Sequence, residues 1–152
     1  MNPRASLLYG ASPITIESTQ QLAGKRVVVV EDGPSVMRGG MPRAAGHAAA
    51  VAAGAIIVDP RPYATGELAE TYERYPHLRD VLPAIGYTPS QVAALKATLA
   101  RVPADTIVSG TAVDLAALLG PGKRIVRATY EYADVGTPTL WEAVAARLAP
   151  HG

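Results

Sequence analysis

Two carboxylates, Glu31 and Asp32, follow directly on four valines, and the stretch VVVVEDGPSVMRGG (27–40) then turns glycine-rich. A buried strand that delivers adjacent carboxylates to a turn can orient a hydroxyl, supply a general base or bind a metal. Glu31 and Asp32 are therefore the candidates for catalysis, with Asp32 a candidate metal ligand. Gly33, Gly39 and Gly40 allow the backbone to approach a ligand closely, and Ser35 adds a hydroxyl to the same loop. Arg38 can fork onto a phosphate or carboxylate. A helix after the loop would aim its N-terminus at the same space, which favours an anion. The competing reading is an ordinary strand-to-helix turn whose acidic pair faces solvent.

Further candidates sit at other loops. In DPRPY (59–63), Asp59 ends an apolar run, Arg61 is held between two prolines, and Tyr63 closes the loop. Asp59 and Arg61 either aim at a ligand or pair with each other, and the pairing is favoured. Thr111 and Asp114 follow the run DTIVSG; they line the same cleft or cap the short helix that comes next, the cap being favoured. Arg127 and Tyr130 are three apart, so on a strand they face opposite sides and fit packing or surface roles. His47, His77 and His151 have no metal-ligand spacing, and Ser12, Ser18, Ser35, Ser90 and Ser109 stand in no G-x-S-x-G elbow. Neither G-x-x-x-x-G-K-[ST] nor a strand-following G-x-G-x-x-G occurs, so a nucleoside triphosphate has no standard P-loop here.

These loops need strands and helices to position them. Residues 25–31, apolar on both faces, read as a parallel strand covered on both sides. An Ala-rich helix over 41–53 and a strand over 55–59 complete a right-handed βαβ unit. Short helices are expected over 67–75 and 113–119, and longer ones over 89–101 and 139–148, the last with Thr139 and Glu142 as a capping box. Residues 5–8, 81–89, 105–110 and 123–132 read as strands or strand-like segments, and 11–18 as a connector with a short extended piece. The expected architecture is α/β: a single three-layer Rossmann-like domain over 1–152, its mostly parallel sheet covered by helices on both faces. Ligands in such sheets sit at the carboxyl ends of the strands.

Composition narrows the function. The chain has 152 residues and a net charge of +1, which gives no electrostatic reason to expect nucleic acid or an anionic membrane as partner. With 49% hydrophobic residues, 5% aromatic ones and no Phe, the core must be built from Ala, Val, Leu and Ile. Absence of Cys excludes disulfides and thiol chemistry. No apolar run approaches the ~18–20 residues of a membrane span, and the N-terminus lacks the layout of a signal peptide, so a cytoplasmic protein is expected.

Several separated motifs together carry a family resemblance. GKRVVVVEDGPSVMRGGMPRAAG, IIVDPRPYATGEL, YPHLRDVLPAIGY and YEYADVGTPTL resemble, in order, the C-terminal domain of a P-loop GTPase family whose members are known as cyclic 2,3-diphosphoglycerate synthetases. The resemblance implies a phosphorylated small-molecule ligand at the strand-end loops, with Glu31, Asp32, Gly33, Asp59, Arg61, Tyr63 and Asp114 matching the family pattern. It also implies that Mg2+ and ATP or GTP enter only through a separate P-loop domain or subunit, so that this chain has no NTPase activity alone. Three departures stand out. Met37-Arg38 replaces a Thr-His pair, Thr111-Ala112-Val113-Asp114-Leu115 replaces Thr-Pro-Ile-Asp-Leu, and Thr129 replaces an arginine. The resulting expectation is an accessory ligand-binding domain; the alternative is a non-catalytic, homo-oligomeric assembly module.

Overall fold

The computed structural model describes residues 5–16 and 22–149. Contacts divide the chain into two compact units, one over 14–129 and one formed by 1–13 with 130–152.

In the larger unit, β2 (Ile14–Ile16) and β3 (Arg26–Asp32) precede a single helical turn, α1 (Gly33–Met37), and then α2 (Ala45–Ala52) and β4 (Ile56–Ile57). A 3-10 turn (Arg61–Tyr63), α3 (Glu67–Arg74), β5 (Leu82–Ala84), α4 (Pro89–Arg101), β6 (Thr106–Gly110), α5 (Leu115–Leu119) and β7 (Arg124–Tyr130) follow. The sheet runs β2-β7-β6-β3-β4, and β5 also pairs with β3. The ladders joining β3 to β4, β5 and β6, and β6 to β7, are all parallel. β4 pairs with Arg26 and Val27, whereas β5 pairs with Val30 to Asp32, so the two short strands are spaced along the length of β3.

The valine run organises the core because alternate side chains leave a strand on opposite faces. Val28 and Val30 join Leu68 of α3, Leu95 and Leu99 of α4 and Leu115 of α5. Val27 and Val29 join Ala49, Ala50 and Ala53 around α2, with Leu22. Both faces are thus covered by helices, as the continuous apolar pattern requires. Alanines let α2 sit close to the sheet. At its start a Cβ on Gly110 would lie 2.5 Å from the Gly46 nitrogen, so both positions need glycine for the approach.

Several boundaries differ from expectation. The helix expected over 41–53 begins at Ala45, and α1 takes residues expected as loop, because Asp32 caps α1, Pro34 fits its first turn, and Gly40 turns away at φ +68°. The strand expected over 55–59 keeps ladder pairing only at Ile56–Ile57, since β5 takes the next stretch of the β3 edge.

The smaller unit pairs β1 (Tyr9–Ala11) antiparallel with β8 (Ala133–Val135), and α6 (Leu140–Leu148) completes it. Residues 5–8 are not a strand; the pairing begins at Tyr9. The expected capping box is present: Thr139 Oγ1 accepts the Glu142 N–H and Glu142 accepts the Thr139 N–H. Ser18 and His151, both read from sequence as unremarkable, lie outside the described residues. Among the described residues no helix is long and apolar enough to cross a membrane.

Candidate ligand-binding site

The Glu31–Gly40 loop was the first expected site, and its two carboxylates are held by the fold. Glu31 is fully buried. Its Oε1 accepts the N–H groups of Ala44 (3.1 Å) and His47 (2.7 Å), and its Oε2 accepts that of Gly46 (3.1 Å). It thus satisfies the backbone donors that the start of α2 leaves open. Burial pushes the Glu31 carboxyl above its ordinary range, and the three backbone donors pull against that shift. A carboxylate enclosed this way is out of reach of a ligand. Asp32 is the N-cap of α1: its Oδ2 accepts from the Ser35 N–H (3.1 Å) and the Ser35 hydroxyl (2.7 Å). The Gly39 N–H donates to the Pro34 carbonyl, and exposed Arg38 closes the C-terminus of α1 by the same acceptor. Gly33, Gly39 and Gly40 therefore shape this turn: a Cβ at Gly33 would lie 2.5 Å from the Ala84 carbonyl oxygen.

Beside Asp32, at the strand ends, lies a cleft of about 80 Å³ lined by Ala84, Ile85, Gly86, Tyr87, Val113 and Leu118. Small-molecule pockets are usually ~300–1,000 Å³, so this cleft is too small for a phosphorylated metabolite. Asp32 contributes its one carboxylate there, and among the described residues no three His, Cys, Asp or Glu side chains gather to hold a metal.

Thr111 and Asp114, in the loop after β6 that brings Val113 to this cleft, serve the backbone. Thr111 Oγ1 accepts the Val113 N–H, and Asp114 Oδ1 caps α5 by accepting the Ala117 N–H at 3.0 Å. Arg127 and Tyr130 are exposed on β7, in line with a surface role. His77 Nε2 meets the Val36 carbonyl at 2.7 Å and so must carry its proton there.

The polar side chains converge elsewhere. Where β4 ends and β5 begins, an open basin of about 590 Å³ is lined by Arg43, Ile57, Asp59, Arg61, Arg79 and Asp80. Three separate segments supply it. The DPRPY loop brings Asp59 and Arg61, which chelate each other: the Arg61 N–H and Nε donate to Asp59 Oδ1, and Nη2 donates to Oδ2 at 2.6 Å. The segment before α2 brings Arg43, whose Nε donates to Asp80 Oδ1 at 2.8 Å. The segment before β5 brings Asp80 and Arg79. His47 Nε2 approaches Asp80 Oδ2 at 3.5 Å. Arg79 forms no ion pair among the described residues. Tyr72 lies behind the basin and donates its hydroxyl to the Val81 carbonyl at 2.7 Å; burial, then the Asp59 charge, raises its pKa. Burial also pulls the Asp59 and Asp80 carboxyls upward, but bonding to Arg61 and to Arg43 outweighs it, and both are held below the ordinary value.

Of the residues singled out in the sequence, then, the structure brings Asp59 and Arg61 to this basin. Glu31, Asp32, Thr111 and Asp114 are engaged with backbone, and Tyr63 packs against the core. Arg43, Arg79 and Asp80 were missed. Their only sequence signal is charge in otherwise unpatterned connections, and nothing local places them beside residue 59.

No family model matches the chain, and no solved structure matches it. It is 46% identical over 145 residues to arginine synthetase ArcE of Thermococcus kodakarensis. That match takes in 95% of this chain but 32% of the relative, so the chain spans about a third of the length of the curated protein it matches.

Proposed function

We propose that this chain is the ligand-binding part of a synthetase-type system and that the Arg43–Arg61–Arg79 basin takes a small molecule through its carboxylate or phosphate group. The observation that carries this reading is the convergence of three arginines from three segments on one open space, with Arg79 in no ion pair among the described residues. Guanidinium forks match carboxylate and phosphate oxygens in pairs, and an oxyanion there would compete with no existing partner of Arg79. Asp59 and Asp80 hold Arg61 and Arg43 in fixed positions and leave anionic edges for a ligand that also carries positive charge.

Similarity to arginine synthetase supports an amino-acid carboxylate as the oxyanion; resemblance to cyclic 2,3-diphosphoglycerate synthetases supports a phosphate ester. In either case the chain works as an accessory domain without NTPase activity of its own. ATP- or GTP-dependent chemistry and its Mg2+ would reside in a P-loop domain or subunit.

Calorimetry with L-arginine, 2,3-bisphosphoglycerate and inorganic phosphate distinguishes the sources. Binding of at least one, weakened tenfold or more in Arg79→Ala, is expected. Heat absent with all three, or unchanged in Arg79→Ala, would overturn the reading.

A further inference from the structure

Behind Asp80 stands a titratable ring that the basin arginines do not account for. His47, in the first turn of α2, keeps its side chain only 16% exposed, and its Nε2 lies 3.5 Å from Asp80 Oδ2. Arg43 Nε holds the other oxygen, Asp80 Oδ1, at 2.8 Å. The residue is fixed from the backbone, since the His47 N–H donates to the buried Glu31 carboxylate at 2.7 Å. The imidazole therefore sits near two carboxylates, and its charge acts on both. The other elements packed on α2 bring no rival charge. β2, β4 and β6 carry no titratable side chain; on β3, Arg26 stands at the opposite end of the strand and Asp32 is turned to Ser35.

Histidine is the side chain whose ordinary titration changes its charge between pH 5 and 8. Resting on the basin reading above, we propose that His47 is the proton switch of that basin: its protonated ring takes hold of Asp80, releases Arg43 to a bound oxyanion, and tightens binding as pH falls. With His47 neutral, Asp80 holds Arg43 and Asp59 holds Arg61, so Arg79 alone among the basin arginines has no ion pair among the described residues. With His47 protonated, Nε2 donates to Asp80 Oδ2 and a unit of positive charge is added beside the basin. Two guanidiniums then serve the ligand instead of one. One added charge this close to a partly exposed site changes affinity about five- to tenfold. Linkage requires the reverse as well: a bound oxyanion makes His47 keep its proton to higher pH, by the same factor.

Sulfate is the probe, because its charge is fixed across this range. Calorimetry on the full chain should show sulfate bound about five- to tenfold more tightly at about pH 5.5 than at about pH 8. His47→Gln keeps the backbone N–H to Glu31 and cannot be protonated. It should bind sulfate at the higher pH as the parent chain does and lose most of the pH dependence. Glu31 is held above its ordinary range, and the ratio left in His47→Gln measures its share. In the parent chain, the imidazole proton resonances that His47→Gln removes should keep their protonated position to higher pH when sulfate is present. Equal affinity at both pH values, or a ratio undiminished in His47→Gln, would overturn the switch and leave the basin standing. Absence of heat at either pH would overturn the basin reading, and the switch with it.

Discussion

Removing the Glu31 carboxylate should destabilise the body of this protein rather than disable a ligand site. In Glu31→Ala three backbone N–H groups, on Ala44, Gly46 and His47, lose their acceptor. A buried donor left unsatisfied costs ~1–3 kcal/mol. The Gly46 contact is fully buried and takes the whole cost, whereas Ala44 and His47 are half-buried and recover part of theirs from water. The expected loss is therefore about 3–5 kcal/mol, a large share of the ~5–15 kcal/mol that holds a domain together. For a chain of this size that lowers Tm by roughly 10 °C. Urea titration followed by circular dichroism measures it directly. The pH dependence adds a second check. Because burial raises the folded-state pKa of Glu31, its contribution favours folding at acid pH and is lost as pH rises through that raised value. Glu31→Gln should remove that slope while costing less stability than Glu31→Ala. If Glu31→Ala melted within ~2 °C of the parent chain, the burial argument would be refuted and a role in chemistry would return.

Other substitutions probe the glycine contact beside Glu31, the α5 cap and the basin carboxylates. Gly110→Ala would place a Cβ 2.5 Å from the Gly46 nitrogen and against the Glu31 carboxylate; a loss of at least ~2 kcal/mol in denaturant is expected. Asp114→Ala removes the α5 cap and should cost about 1 kcal/mol, with ligand heats unchanged in calorimetry. Asp59 and Asp80 have lowered folded-state pKa values, so their contribution is present above the ordinary carboxylate range and lost as pH falls through the lowered values. Thermal melts on the acid side should therefore fall less steeply in Asp59→Asn/Asp80→Asn than in the parent chain.

Where pattern is local, the sequence was a good guide. Four consecutive valines marked β3, Pro89 marked the start of α4, and Thr139 with Glu142 marked that of α6. The Asp59–Arg61 pair and the Asp114 cap were legible because each partner lies within three residues. Elsewhere pattern misled. Glu31 looked like a loop carboxylate, yet its partners are 13 to 16 residues away, at a helix start that the Ala-rich run placed too early. The β1–β8 pair joins segments more than a hundred residues apart, three residues each, too short for a period to show. The basin is the clearest case. Arg43 and Asp80 pair across 37 residues, and only the placing of β4 and β5 on one edge of β3 brings them beside Asp59.

Under the proposed function, ligand enters at this basin and not at the strand-end cleft. Backbone amide shift mapping of the ¹⁵N-labelled chain, titrated with L-arginine or 2,3-bisphosphoglycerate, tests it most directly. Shifts concentrated at residues 43–47, 59–63 and 79–81 are expected. Shifts confined to Asp32, residues 84–87 and 111–114, with the basin silent, would contradict it.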